Sequence, residues 1–501
     1  MRKQSDAGTN LSGRKASDGS PIAGDGEDGR LVAAVRKVAH LSIEERVARG
    51  KAARNEVPRS SHGRWVPSDQ RPDPVALLEE QAGSRVPELV PIRYGRMLVS
   101  PFTFYRGAAL IMAADLAATP RSGLNAQICG DAHLSNFGVF ASPERQLMFD
   151  INDFDETLPG PWEWDVKRLM ASFEIAGRNL GFASDQRRET VLAGVAEYRT
   201  RLKETAGMRN LEVWYAHVEA EKLFAQLKTA VTAKQRAKAK ANLAKARTRD
   251  SMQAFSKLTH EVDGERRIVA DPPLITPVED LMPTAKGRAD VDEELRGLIR
   301  TYRQTLETDR RQLLEDFHYV HAARKVVGVG SVGTRAWIVL MLGRDGQDPL
   351  FLQAKEAQES VLERFVGKSQ YPNHGQRVVA GQRLMQAASD IFLGWETVTG
   401  IDGVARDFYI RQLRDWKGSA DVDTMAAPVM LAYARMCAAT LARAHARSGD
   451  RIAIASYLGN SDVFDRAIAD FSTAYADQNE RDYQALVDAV KTGRLQAETG
   501  L

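Results

Sequence analysis

Gly130-Asp131-Ala132-His133-Leu134-Ser135-Asn136, followed by Asp153-Phe154-Asp155, constrains this chain more than any other stretch. Gln127 to Cys129 reads as a short strand entering the Asp131 loop. Phe137 to Phe140 and Gln146 to Ile151 then read as a hairpin around Ser142-Pro143-Glu144. The local order is therefore strand, polar loop, hairpin, acidic loop, with Asp131, Asn136 and Asp153 within roughly 25 residues. Phosphoryl transfer asks little covalent chemistry of a protein. It needs a carboxylate at the nucleophile and oxygen ligands that place a metal on the phosphates. This stretch has both.

A second constellation follows much later. Val326–Val329, Ala336–Leu342 and Leu350–Ala354 are apolar runs joined by glycine-containing turns, and they predict an antiparallel meander. The first turn is Gly328-Val329-Gly330-Ser331-Val332-Gly333. It lacks the Gly-Lys-Ser/Thr of a Walker loop, and a strand rather than a helix follows it, which argues against a dinucleotide fingerprint. A glycine loop between two strands suits backbone amides closing over phosphates. The third run ends in Lys355, a cation on a buried strand that calls for an anionic partner. Of the carboxylates that follow, Glu356, Glu359 and Glu363, Glu359 is the favoured one.

Around these motifs the chain reads as α+β. Residues 1 to 30 have the composition of a disordered tail, and 31 to 90 that of a helical, proline-punctuated extension. Phe104 to Ala118 reads as one buried helix, Trp164 to Gly177 as another, and Leu295 to Phe317 as a long amphipathic one. Ser360 onward turns helical, Phe408 to Leu413 returns to strand, and Met430–Ala446 and Asp462–Ala489 are helical. Residues 91–320 would form a helical lobe with the catalytic and metal loops, 321–420 a β-rich nucleotide lobe, and 421–501 helices completing the first. Between Lys222 and Arg249 there are nine Lys/Arg and no acid, which reads as a solvated, Ala-rich helix rather than a nucleic-acid surface.

Bulk properties exclude several classes. A net charge of +3 over 501 residues gives no general attraction to nucleic acid or membrane. Two cysteines, Cys129 and Cys437, make no disulfide framework and fit a reducing cytoplasm. No apolar run reaches the ~18 residues of a membrane span. His133 has no second histidine at zinc-ligand spacing. The run from Asp150 fails the EF-hand pattern, since Asp155 stands where glycine is required. Cys129 reads as a small buried strand residue rather than a nucleophile, and Trp162 and Trp164 as helix-start packing.

GDAHLSN resembles the G-D-x-H-x-x-N loop of the aminoglycoside phosphotransferase and choline kinase branch of the protein-kinase-like fold, and Asp153-Phe154-Asp155 resembles its acidic metal motif. From about Ala53 onward the chain also resembles an uncharacterised bacterial family, the domain-of-unknown-function 2252 family, through SPFTFYRGAA, GDAHLSNFG, VGVGSVGTR, GQRLMQAASDIFLGW and RQLRDWKGS. The kinase-like resemblance implies ATP and Mg2+ as cofactors and a small-molecule acceptor. Asp131 would orient or deprotonate the acceptor hydroxyl, with His133 supporting the loop. Asn136 and Asp153 would ligate magnesium, with Asp150 and Asp155 as rivals. Gly328, Gly330, Ser331 and Gly333 would cover the nucleotide, Lys355 would hold its phosphates, and Asp165 would brace the catalytic loop. Kinases place the glycine loop and lysine first. Here they come last, so the resemblance implies a circularly permuted two-lobe fold. An active phosphotransferase, a catalytically silent nucleotide-binding scaffold and a nucleotidyl transferase all stay compatible with these residues.

Overall fold

Alternating apolar residues fold the segments around the Asp131 loop into short antiparallel pairs. In the computed structural model, which describes residues 40–220, 232–282, 288–400, 402–413 and 415–501, these are β1 (Asn125–Ile128), β2 (Phe137–Ala141), β3 (Leu147–Ile151) and β4 (Leu158–Pro161). β1 pairs with β4, and β2 with β3. The expected hairpin is present, and Arg145, at φ 61°, makes its turn. A separate hairpin joins β5 (Thr259–Val262) to β6 (Glu265–Ile268).

The meander belongs to a larger sheet. β7 (Ile275–Pro277), β8 (His318–Lys325), β9 (Ala336–Leu342), β10 (Pro349–Ala357), β11 (Gly394–Thr399) and β12 (Ala405–Gln412) form six strands in the order β11-β12-β10-β9-β8-β7. β13 (Gly418–Ser419) extends the other sheet by pairing with β2. Every pairing among the described strands is antiparallel, and the fold is mixed α+β.

The helix Trp162–Asn179 follows directly on Pro161, the extended last residue of β4, and is buried over most of its surface. It packs against Ser184–Ala206, Ala427–Ser448 and Val463–Lys491. Trp162 stacks on Tyr198 with centroids 5.7 Å apart. Its buried face and those of the strands around the Asp131 loop share one apolar core, so the loop rests on a rigid base. All these elements lie within Ile43–Leu501, a single compact unit. The tail 1–30 and residues 222–231 of the basic stretch lie outside the described residues; Ala233–Arg247 is helical. Among the described residues no helix is long and apolar enough to cross a membrane.

Three expected elements differ. Phe104–Ala118 is two helices, Pro101–Arg106 and Ala109–Ala117, broken where Gly107 packs so closely that a Cβ would lie 2.8 Å from the Met97 sulfur. The span Leu295–Phe317 is likewise divided: Arg288–Tyr302 stops where the Tyr302 hydroxyl anchors to the Phe392 carbonyl, and Leu306 turns extended before Thr308–Glu315. Val326–Val329 is not the first strand. That strand is β8, whose His and Arg side chains mask its alternation, while Val326–Val329 leads into the glycine turn, with Gly328 at φ 67°.

Candidate functional site

The Asp131 loop is held from beneath by Asp165. This carboxylate, in the first turn of the Trp162–Asn179 helix, accepts the amides of Cys129 at 2.8 Å and Gly130 at 2.9 Å. His445 Nε2 lies 3.2 Å from the same group, and the Tyr198 hydroxyl meets His445 Nδ1 at 2.8 Å. Asp165 thus ties the entry of the Asp131 loop to the Ala427–Ser448 helix. Gly130 sits at φ 77°, and a Cβ there would come within 2.7 Å of the Glu156 carbonyl. A side chain is excluded on both counts.

Within the loop, Asn136 Nδ2 donates to the Asp131 carbonyl at 2.8 Å, and His133 Nδ1 accepts the Ser135 amide at 3.2 Å. Arg168 donates Nε and Nη2 to Asp131 Oδ1, at 2.9 and 2.7 Å, and lies over the Tyr105 ring. This leaves Oδ2, which lies 3.8 Å from His133 Nε2. Burial holds the pKa of His133 well below its ordinary value, so the ring is neutral. Because its Nδ1 is an acceptor, the proton is on Nε2, facing Asp131. Burial also raises the Asp131 pKa, against the opposing pull of Arg168.

The acidic loop meets Lys355 of β10, which is buried and is not itself among the residues lining the cleft. Lys355 ion-pairs with Asp155 and lies 3.9 Å from Asp153. The Tyr409 hydroxyl, from the residue paired with Lys355 across β10–β12, donates to Asp155 Oδ1 at 2.8 Å, and Ser331 Oγ donates to Asp155 Oδ2 at 3.3 Å. Burial depresses the Lys355 ammonium, but Asp153 and Asp155 more than reverse this and raise its pKa. Burial and the neighbouring Asp155 charge raise Asp153; in Asp155 burial is outweighed by Lys355, and the pKa falls.

Two expectations fail here. Glu359 does not pair with Lys355: its carboxylate takes the exposed Lys368, because Asp155 is already on the lysine. Asp150 is turned into the core, where it pairs with Arg443 at 2.5 Å and accepts the Ala387 amide at 3.1 Å. It sits on a strand buried along its whole length, so its side chain faces away from the cleft. Asn136, Asp153 and Asp155 do line the cleft, together with Asp131, His133 and Gly328, Gly330 and Ser331 of the glycine loop.

The glycine loop connects β8 to β9 and is fastened to the Arg85–Met97 segment. Arg96 donates to the Gly328 carbonyl at 2.6 Å, Arg85 to the Val332 carbonyl at 2.5 Å, and the Val86 amide to Gly333 at 2.8 Å. Gly333, at φ 89°, lets the chain pass against the Arg85 side chain.

Several arginines of the site were not foreseen. Arg377, on the buried face of the His374–Met385 helix, donates to the carbonyls of Asp155 and Thr157 at 2.8 Å each, and to Gln358 at 2.9 Å. It ties that helix to the acidic loop. Arg411 donates to the Asn152 carbonyl at 3.2 Å. Arg168 and Arg377 stand in none of the motifs, and Arg411 opens the RQLRDWKGS stretch without a role suggested by it, so only placement in a buried strand or helix face could have flagged them.

No curated protein and no solved structure matches the chain. A family model does match, over residues 85–489, which takes in the Asp131 loop, the acidic loop, the glycine loop and Lys355 alike. The chain belongs to that family, DUF2252, described as an uncharacterized protein conserved in bacteria.

Proposed function

We propose that this protein is a cytoplasmic, ATP- and magnesium-dependent phosphotransferase acting on a small hydroxyl- or amine-bearing molecule. The observation that carries the reading is the meeting of Asp155 with Lys355 and Ser331 beside Asp131 and Asn136, since these groups come from distant parts of the chain and line or border one cleft. Asp131 has one carboxylate oxygen fixed by Arg168 and the other directed to accept a hydrogen bond from the acceptor. The glycine loop would lie over the nucleotide phosphates, and Lys355 would exchange Asp155 for a phosphate oxygen.

The donor set suits a hard divalent cation. Asp153 and Asp155 are partly exposed carboxylates, and the amide oxygen of Asn136 has no hydrogen-bond partner among the described residues. Asn136, Asp153 and Asp155 would hold magnesium there, and the ion would supply positive charge against the phosphates during transfer.

The fold that fits this reading is kinase-like and circularly permuted. Ser448 Oγ accepts the Gln127 amide at 3.2 Å, and Gly449 packs against Asn125 and Ala126. The end of the Ala427–Ser448 helix thus abuts the start of β1. On this reading the Ala427–Ser448 helix would be the one that precedes the catalytic loop in an unpermuted order.

The test is magnesium-dependent ATP binding by thermal shift, then ATP turnover with a panel of hydroxyl metabolites, in the native protein and Asp131→Asn. The expected result is retained binding in the variant with turnover reduced about 100-fold or more. Binding without turnover in the native protein would replace the phosphotransferase by a silent nucleotide-binding scaffold. Absence of any magnesium-dependent nucleotide binding removes both.

A further inference from the structure

Three arginines of the N-terminal helical segment line the cleft with no acid paired to them among the described residues. Arg93 is 0% exposed. Its Nη2 donates to Gln81 Oε1 at 3.0 Å and to the Gly107 carbonyl at 2.9 Å, while Nε and Nη1 have no hydrogen-bond partner among the described residues. Arg85 spends one nitrogen on the Val332 carbonyl, and its Nε is unpartnered. Arg106 makes no hydrogen bond among the described residues, and its buried Nε is likewise open. None of the three forms an ion pair among the described residues. Arg85, Arg93 and Arg106 all border the space that Asp131, Asp153 and Gly330 border.

This arrangement is costly without a ligand. A buried guanidinium lacking a counter-charge loses its hydration and gains only neutral partners. Burial, with Arg85 adjacent, pushes the Arg93 pKa well below the ordinary arginine value. Burial also lowers Arg106, even though Asp131, Asp423 and Asp153 act on it from a distance. Guanidinium groups with free donors converging on a cleft match the several oxygens of a tetrahedral oxyanion.

We propose that Arg85, Arg93 and Arg106 form a subsite for a phosphate group, which a bound ligand places beside the glycine loop and Asp131. The subsite shares the cleft with the proposed phosphotransferase site but rests on the arginines alone. Two sources supply that chemistry: the terminal phosphate of a nucleotide, or a phosphate already present on the acceptor. Because Arg85 also holds the glycine loop through Val332, occupancy of the subsite and the position of that loop are linked.

The test uses the full chain and three probes, inorganic phosphate, tripolyphosphate and ATP with magnesium, measured by calorimetry at constant ionic strength. The variants are Arg106→Gln, whose side chain has no structural hydrogen bond to lose, and Arg93→Gln. The expected result is phosphate or tripolyphosphate binding that weakens about tenfold or more in Arg106→Gln, with an unchanged melting temperature. Parallel weakening of ATP identifies the nucleotide as the source. Unchanged ATP binding, with inorganic phosphate still binding in its presence, identifies the acceptor. The proposal is overturned if the native protein binds none of the probes, or if both variants bind all of them as it does. Phosphate binding lost in Arg106→Gln in a protein that never binds magnesium-ATP would sink the phosphotransferase reading and leave the subsite standing.

Discussion

Replacing Lys355 by Met should destabilise the protein in EDTA and make it respond more strongly to magnesium. Met keeps most of the buried stem, so packing changes little and the lost charge dominates. At an effective dielectric of about 20, a unit-charge pair at the 3.9 Å between Lys355 and Asp153 is worth roughly 4 kcal/mol before desolvation and ordering are subtracted. Breaking a buried pair costs about 3–5 kcal/mol. The lysine side chain is 4% exposed, but those of Asp153 and Asp155 are 32% and 28% exposed, so water screens the carboxylates left behind. A net loss of about 2–3 kcal/mol in urea unfolding is expected.

The variant then leaves two neighbouring carboxylates with no ammonium between them, and a divalent cation is the natural replacement. Magnesium should recover a large part of the loss in Lys355→Met and shift the native protein much less, by the linkage of binding to stability. The working pH follows from the two shifts. The raised pKa of Lys355 gives stability that is complete below about 10.4, the unfolded value, and is lost as pH rises through the folded one. The lowered pKa of Asp155 gives stability complete above about 3.9 and lost as pH falls. Neutral pH lies inside both windows. A loss under about 0.5 kcal/mol, with equal magnesium responses in the two proteins, would refute the coupling of Lys355 to these acids.

Two further outcomes test the frame of the site. Asp165→Asn presents an amide where two backbone donors need acceptors, at a position 1% exposed. It should cost about 2–4 kcal/mol and speed hydrogen exchange at Cys129 and Gly130; unchanged protection there would mean Asp165 does not brace the loop. His62 is buried against Tyr457 and Phe464, and burial lowers its pKa to about 3. The native state therefore binds fewer protons than the unfolded chain between about 3 and 6.5, and stability rises with pH over that window. Relative to His62→Gln, the native protein should lose on the order of 4 kcal/mol as pH falls through it, measured by urea midpoints. Glu156 and Glu396, both raised to about 7 by burial, act in the opposite direction in both proteins and cancel in the difference. A difference independent of pH would show that His62 is not held neutral.

What the sequence disclosed was local. The Asp131 loop, its hairpin and the acidic loop are set by residues within one short stretch, and the structure keeps them together. Ala336–Leu342 is a strand with the expected limits because its apolar residues pack into a cluster on each face of the sheet, Ile338 and Leu340 in one and Trp337, Val339 and Met341 in the other. Lys355 could be recognised as a buried cation, but its partner could not be chosen. Glu359 is near in sequence, yet Asp155, 200 positions away, reaches it through the packing of the sheet on the acidic loop. Asp150 failed for the complementary reason: in a strand, neighbouring residues face opposite ways, and Arg443, which claims it, is on a distant helix. Arg168 and Arg377 are similar cases, each defined by what folds against it.

The arginines and the carboxylates make most sense together. Asp153 and Asp155 share one ammonium, while Arg85, Arg93 and Arg106 hold donors with nothing to bind. Direct pairing between the two sets would neutralise both, yet none is made among the described residues. A neutral ligand would leave the guanidinium groups without a counter-charge, and a simple anion would place negative charge beside Asp153 and Asp155. On the proposed function, a polyanion that brings a divalent cation would answer both points, its metal held by Asp153 and Asp155 and its outer oxygens by the guanidinium groups. The glycine loop is fastened by Arg85 and Arg96 on one side and touches Asp155 through Ser331 on the other. It therefore bridges the two charge sets, and a ligand that satisfied both would also exchange the contacts that hold the loop in place.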